Sequence, residues 1–218
     1  MILLYVFAVV VLINCCYYFL FSKFSFHTDT EIAKEPSFPV SVIVCAKNEA
    51  ANISENIPHI LSQDYPDFEV ILVNDRSTDK TFEVMEQFAE NDPRVKLVNV
   101  AENEAFWGNK KYALTLGIKK AVNQRLLFTD ADCKPNYNSW IREMTQQLTG
   151  EKQLVLGYGA YEKRPGVLNA LIRFETVMTA IQYFAYQKAG MPYMGVGRNL
   201  AYTSPLFYDT KGFMSHIK

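Results

Sequence analysis

Two hydrophobic patterns divide the chain. Residues 1–22 carry no charged side chain. From residue 40 onward, short apolar runs alternate with stretches whose apolar positions recur every three or four residues. The run at 40–45 (VSVIVC) is continuous and rich in β-branched residues, and further mainly apolar runs follow at 68–73 (FEVILV), 95–100 and 125–129 (RLLFT). Such runs predict strands buried on both faces. Between them, Ile53, Ile57, Ile60 and Leu61 predict a helix over 49–61, and Phe82, Met85 and Phe88 one over 80–89. Leu114, Ile118 and Ala121 predict a helix over 110–122, and a further helix is expected over 140–148. Strands alternating with helices at this spacing imply an α/β fold: a Rossmann-like, mostly parallel sheet with flanking helices.

The uncharged run at the start has a different meaning. As a helix at ~1.5 Å per residue it is long enough to cross a ~30 Å hydrocarbon core. Tyr5, Tyr17 and Tyr18 suit the two interfaces. A cleaved signal peptide is the rival reading, but no basic segment precedes the run, no small-residue cleavage site follows it, and it is longer than an ordinary signal core. The expectation is therefore one N-terminal transmembrane anchor over 1–22 and a polar linker over 23–38. Lys23 and Lys34 follow the run and nothing basic precedes it. The positive-inside rule then puts the remainder in the cytoplasm, at the cell membrane. The sequon at Asn52 would be inert there.

Composition narrows the partners. Of 218 residues, 49% are hydrophobic and 21% charged, enough for one domain with a real core plus the anchor. The net charge of -1 offers no basic excess for a nucleic-acid backbone, so no nucleic-acid partner is expected. Cys15, Cys16, Cys45 and Cys133 have no C-x-x-C spacing and no accompanying histidine cluster, which argues against structural zinc and a disulfide framework.

Ligands of parallel sheets bind at the carboxyl ends of the strands. After the first strand comes Ala46-Lys47-Asn48-Glu49, with neither a G-x-G-x-x-G nor a G-x-x-x-x-G-K-[ST]. After the second comes Asn74-Asp75-Arg76-Ser77-Thr78-Asp79. There Asp75 is placed to accept hydrogen bonds from a base or ribose, while residues 77–79 can turn the chain and cap the next helix. After the fourth comes Asp130-Ala131-Asp132. Read as extended, its two carboxylates point the same way and can face one cation. Lys110 opens the third helix, where it either attracts phosphate or forms an ordinary solvated first turn.

Taken in order, these segments resemble the family-2 glycosyltransferases, whose catalytic domain has the GT-A fold. The resemblance runs from about Ser41 to Phe213 and rests on four pieces: Ala46, Asn48 and Glu49; Asn74-Asp75-x-Ser77-x-Asp79-x-Thr81; Lys110-x-x-Ala113-Leu114; and Asp130-x-Asp132. It implies inverting transfer of a sugar from a nucleotide-diphosphate sugar, a UDP-sugar by family habit, to a glycan or lipid-linked acceptor. Ala46, Glu49, Asp75, Lys110, Asp130 and Asp132 would bind the nucleotide sugar. Glu49 and Asp75 would meet base and ribose, Lys110 would lie near the nucleotide, and Asp130 near the ribose. Asp132, with Asp130 beside it, would hold Mn²⁺ or Mg²⁺, the ions that oxygen-only ligands favour. The Gly195-to-Asn199 segment resembles the family's acceptor-side glycine segment. There Gly197 and Arg198 would meet acceptor or phosphate, or Arg198 is simply a surface arginine.

The resemblance also divides the soluble part into a nucleotide-sugar-binding half over 39–150 and an acceptor-side half over 151–218. Within the latter, 167–187 reads as an apolar helix, explained by core packing or a membrane-surface face. The family's base is an acidic residue shortly after a Gly-Phe segment. Here Gly212-Phe213 is present, but no acidic motif follows before Lys218. The expectation is a base beyond Lys218, an incomplete second half and no activity from these 218 residues alone. A nucleotide-sugar-binding pseudoenzyme or scaffold is the alternative. A sugar nucleotidyltransferase would instead need a glycine-rich basic loop after the first strand.

Overall fold

A computed structural model describes residues 1–25, 38–100, 110–149 and 151–214. Most of the expected linker, the Gly108-Asn109 segment, His216 and Lys218 lie outside these residues. The chain divides into two compact units, one of residues 1–31 and 158–195, the other of 32–157 and 196–218.

The second unit is a three-layer α/β arrangement. Its elements are β1 (Val40–Ala46), α2 (Ala50–Leu61), β2 (Phe68–Asn74), α3 (Thr81–Asn91), β3 (Val95–Asn99), α4 (Lys110–Lys120), β4 (Arg125–Asp130), α5 (Trp140–Thr145), β5 (Leu154–Leu156), β6 (Leu200–Thr203) and α7 (Ser204–Asp209). The sheet order is β3-β2-β1-β4-β6-β5. The first four of these strands run parallel, and β6 and β5 are antiparallel additions. The expected strands and helices are all present, with ends displaced by a few residues. β5, β6 and α7 were not anticipated, because their apolar runs are too short to stand out from the surrounding loops.

Alternation along β1 builds both layers. Val40, Val42 and Val44 belong to a core with Ile53, Ile57, Ile60, Met85 and Ile141, whereas Ile43 and Cys45 belong to one with Ile71, Val73, Ala113, Ile118 and Phe207. Both faces are buried, which is why the run is continuously apolar. Gly117 brings α4 onto the sheet: a Cβ there would sit 2.9 Å from Val73 Cγ2 and 3.0 Å from Ile43 Cγ2.

Glu69 breaks the apolar run of β2, and the fold accounts for it. One carboxylate oxygen accepts from Ser41 Oγ at 2.5 Å and from the Val122 N–H at 2.8 Å. The other lies 2.5 Å from Lys96 Nζ, an ion pair rather than an aligned hydrogen bond. Burial alone would raise its pKa. Lys96, Ser41 and the Val122 N–H outweigh that and hold it below the usual carboxylate value. The network joins β1, β2, β3 and the end of α4 at the amino-terminal edge of the parallel strands.

The first unit contains α1 (Ile2–Ser25) and α6 (Val167–Lys188), which pack against each other. α1 continues three residues past the expected anchor. Its Ile2–Phe19 stretch has a mean hydropathy of 2.3 and no buried residue, so it is long and apolar enough to cross a membrane.

Candidate functional site

The sheet order fixes where a ligand can enter. From β1 the chain builds outward through β2 and β3, then crosses back to place β4 on the other side of β1. The crevice outside the carboxyl ends of β1 and β4 is therefore a topological switch point. A cleft of about 410 Å³ lies there, lined by Cys45, Ala46, Lys47, Glu49, Asp75, Lys110, Asp130, Ala131 and Asp132. All six residues expected at a nucleotide-sugar site line this one cleft: Ala46, Glu49, Asp75, Lys110, Asp130 and Asp132.

At the β1 end, Asn48 adopts φ 57°, a left-handed turn that asparagine tolerates. Its Oδ1 accepts from the Thr78 N–H at 2.8 Å, and its own N–H donates to Ser77 Oγ at 3.0 Å. The Glu49 N–H donates to Thr81 Oγ1 at 2.8 Å, and the Ala50 N–H to Asp79 Oδ2 at 3.4 Å. Capping α3 is thus only part of what residues 77–79 do. Asp79 does take the Thr81 N–H at 3.0 Å, but Ser77, Asp79 and Thr81 also satisfy the donors that open α2. The β2–α3 loop clamps the β1–α2 loop. The Thr81 hydroxyl, then the Thr81 and Ala50 N–H groups, hold the Asp79 carboxyl below its ordinary pKa.

Asp75 is 8% exposed, and its N–H donates to the Ala46 carbonyl at 2.8 Å, tying the ends of β1 and β2 together. Its Oδ1 accepts twice from Arg76, from Nε at 3.0 Å and from Nη2 at 2.9 Å. Its Oδ2 has no partner among the described residues. Arg76, which sequence reasoning passed over, has φ 54°. Its position beside a strand-end carboxylate was the only available signal. Glu49 Oε2 accepts from Asn52 Nδ2 at 2.5 Å.

The Asp130-x-Asp132 segment is not extended. Asp130 ends β4, and the Cys133 N–H bonds back to the Asp130 carbonyl at 3.1 Å, closing a turn. Asn56 Nδ2 holds the Ala131 carbonyl at 2.9 Å. A tethered turn, rather than strand alternation, brings both carboxylates to the cleft. Lys110 Nζ pairs with Asp130 Oδ1. Among the described residues the Asp132 carboxylate meets only the Cys133 thiol, at 3.5 Å. No group of three or more His, Cys, Asp or Glu side chains that could hold a metal exists among the described residues.

The two thiols here are neutral groups. Burial pushes Cys45 up to about 12, with the charges of Asp75 and Asp130 adding to it and Lys110 opposing. Burial also pushes Cys133 up to about 12, assisted by Asp132 and Asp130 and opposed by Arg198. Arg198 therefore lies within electrostatic reach of the Asp132 turn. It sits with Gly197 in a 3-10 turn, Gly197–Asn199, just before β6. β6 runs antiparallel to β4, with Leu200 opposite Phe128, so this turn falls near the carboxyl end of β4. Neither Gly197 nor Arg198 lines the cleft itself. Trp140 Nε1 fixes the turn through Asn199 Oδ1 at 3.0 Å.

Residues 41–197 match the family model described as glycosyl transferase family 2. An uncharacterized glycosyltransferase of Haemophilus influenzae is 32% identical over 138 residues, which is 60% of this chain and 40% of that protein. The poly-beta-1,6-N-acetyl-D-glucosamine synthase of Staphylococcus epidermidis is 28% identical over 123 residues, 56% of this chain and 29% of that one. Among solved structures, the mannosyltransferase PcManGT from Pyrobaculum calidifontis, in complex with GDP-Man and Mn²⁺, has a TM-score of 0.65 at 23% identity. The alignment covers 94% of this chain and 58% of that one. S. aureus TarS 1-349 in complex with UDP-GlcNAc has a TM-score of 0.57 at 19% identity, covering 79% of this chain and 47% of that one. These likenesses establish the GT-A fold. The chain spans well under two thirds of the length of each of these proteins.

Proposed function

Because the chain belongs to glycosyltransferase family 2, we propose that this cleft is the donor site of an inverting, cation-dependent glycosyltransferase acting on a nucleotide-diphosphate sugar. One observation carries the reading: residues from three strand ends and one helix start, each expected from the sequence, line a single cleft at the switch point. Asp75 and Glu49 take the base and ribose, with Asp75 offering its unengaged Oδ2. Asp130 lies toward the ribose, and Lys110 reaches the phosphates from the first residue of α4.

The carboxylates of Asp132 and Asp130 fit Mn²⁺ or Mg²⁺. Such ions are often held by one or two carboxylates, with substrate phosphates and water completing the shell, rather than by an all-protein cage. When bound, the cation stabilises negative charge on the departing diphosphate. Gly197 and Arg198, near the Asp132 turn, face the acceptor side. Inversion requires a general base for the attacking hydroxyl. The carboxylates of the cleft are committed to the donor, so the base comes from outside its lining.

A UDP-sugar is the expected donor and a glycan or lipid-linked glycan the expected acceptor. PcManGT holds GDP-Man and TarS holds UDP-GlcNAc, so both nucleotides belong in the test. Titration calorimetry of UDP and GDP with Mn²⁺ should give saturable binding, weakened when the metal is chelated. No binding of either nucleotide with Mn²⁺ present would sink the reading.

The apolar α1 anchors the protein in the cell membrane, and Lys23 at its end favours a cytoplasmic catalytic unit. Protease added outside intact cells should leave the chain beyond α1 uncut, and cleavage there would reverse the orientation.

A further inference from the structure

α6 is apolar on two opposite sides, which a water-exposed helix has no reason to be. Thr176, Ala180 and Tyr183 form its buried side, and Ala185, also buried, carries the cover round to the opposite side near the C-terminal end. On the opposite side, Val167, Leu171 and Phe174 recur at four- and three-residue spacing and are 77%, 60% and 65% exposed. Leu168, 73% exposed, adjoins them. Scattered exposed apolar residues are ordinary, but a contiguous stripe marks an interaction surface.

What covers the stripe follows from what α6 packs against. Its partner within the unit is α1, whose apolar stretch ends at Phe19. Near that end, the Tyr17 and Tyr186 rings lie 6.5 Å apart, and Tyr186 meets Tyr193 at 5.2 Å. Tyrosines concentrate where hydrocarbon gives way to water. The cluster therefore sets the C-terminal end of α6 at the depth where α1 leaves the bilayer. Lys163 and Arg164 precede α6 and Lys188 ends it, while Glu162 and Glu175 are the acidic residues among the described part of this segment. A basic excess of this kind favours anionic headgroups.

We propose that α6 is an interfacial membrane helix, its Val167–Leu171–Phe174 stripe seated at the headgroup–acyl boundary of the leaflet into which α1 emerges. An amphipathic helix in that plane buries its apolar face ~5–10 Å into the boundary. Together α1 and α6 form a two-point attachment: one helix spans and the other lies flat. The inference rests on α1 being a membrane span, and the test separates the two.

The test uses the full chain in bilayer nanodiscs of phosphatidylcholine with phosphatidylglycerol. Cys15, Cys16 and Cys133 are replaced by alanine, and single nitroxides are placed at Val10, Leu171, Phe174 or Gln187 through cysteine substitutions. Collision with oxygen, which concentrates in lipid, is compared with collision with a water-soluble nickel complex. Oxygen should dominate several-fold at Val10, Leu171 and Phe174, and the nickel complex at Gln187. Nickel dominance at Leu171 and Phe174 with oxygen dominance at Val10 would overturn the interfacial helix and leave the anchor standing. Protection of Leu171 and Phe174 from both reagents would show a protein-covered face and equally overturn it. Nickel dominance at Val10 would overturn anchor and inference together.

Discussion

Asp75→Asn isolates one ligand bond. In the folded protein Asp75 lines the cleft, its Oδ1 is occupied twice by Arg76, and its Oδ2 has no partner among the described residues. An asparagine can keep its carbonyl oxygen on Arg76 and place its NH₂ where Oδ2 was. The arginine therefore stays paired, and the perturbation falls on whatever bonds Oδ2. Hydrogen bonds to charged groups contribute about 1.5–3 kcal/mol. At 1.4 kcal/mol per tenfold, their loss weakens binding roughly 10- to 150-fold.

The magnitude also identifies the group that is bonded. A base N–H would meet another donor and lose the whole term. A ribose hydroxyl can turn and accept from the amide, so it trades a charge-assisted bond for a neutral one. That exchange costs about 1 kcal/mol, or roughly fivefold. Calorimetry should be run with nucleoside monophosphate without metal and with nucleoside diphosphate plus Mn²⁺. Asp75 is proposed to touch neither phosphate nor cation, so both ligands should lose the same factor. A change below about twofold for both, with an unchanged melting temperature, would refute the assignment. A loss confined to the diphosphate with Mn²⁺ would mean that Asp75 acts through the cation.

Asp132→Asn should weaken Mn²⁺-dependent diphosphate binding more than about tenfold, while Asp64→Asn on the exposed surface leaves it unchanged; equal losses would end the cation assignment. Thr81→Val keeps shape but leaves the Glu49 N–H without its acceptor, so exchange of that amide should accelerate and donor affinity fall severalfold; unaltered exchange would show that the loop clamp is dispensable. Glu69→Ala removes the partner of Ser41, Val122 N–H and Lys96 and should cost about 3 kcal/mol in denaturant unfolding, without changing nucleotide affinity in the folded protein. Because the folded Glu69 pKa is depressed, its stabilisation is full above the unfolded value of about 4.3 and is lost as pH falls through the folded value. The deficit of the Glu69→Ala protein should therefore shrink in acid, and a constant difference down to low pH would contradict the network.

The parallel core was legible because a strand buried on both faces leaves an unbroken apolar run. Val40 to Val44 serve two cores at once, so no polar residue interrupts except Ser41, which bonds Glu69. The site was legible because carboxylates at strand ends have few structural reasons to be there. Hidden were features that depend on distant pairing. β6 is a short strand whose identity comes from Phe128 and its neighbours on β4, far away in sequence. The role of residues 77–81 depends on the Asn48 turn, whose donors only the fold brings near. The geometry of Asp130-Ala131-Asp132 was misjudged for the same reason: Asn56, on another helix, pins a turn that the local sequence does not announce.

The charge balance of the cleft bears on why a cation belongs in the proposed reaction. Its lining carries Glu49, Asp75, Asp130 and Asp132 against Lys47 and Lys110. Lys110 is already spent on Asp130, and Arg76 nearby is spent on Asp75. A nucleoside diphosphate entering this crevice meets an excess of like charge in a site partly shielded from water, where repulsion is weakly screened. A divalent ion carried in on the phosphates would relieve that repulsion: it would give the Asp132 carboxylate, which among the described residues meets only a weak thiol donor, an opposite charge to face. It would also let Asp130 give up Lys110, which could then turn toward phosphate. On this reading the ion and the nucleotide bind as one unit, each supplying what the other lacks, and the acidic cleft selects the metal complex over the bare anion.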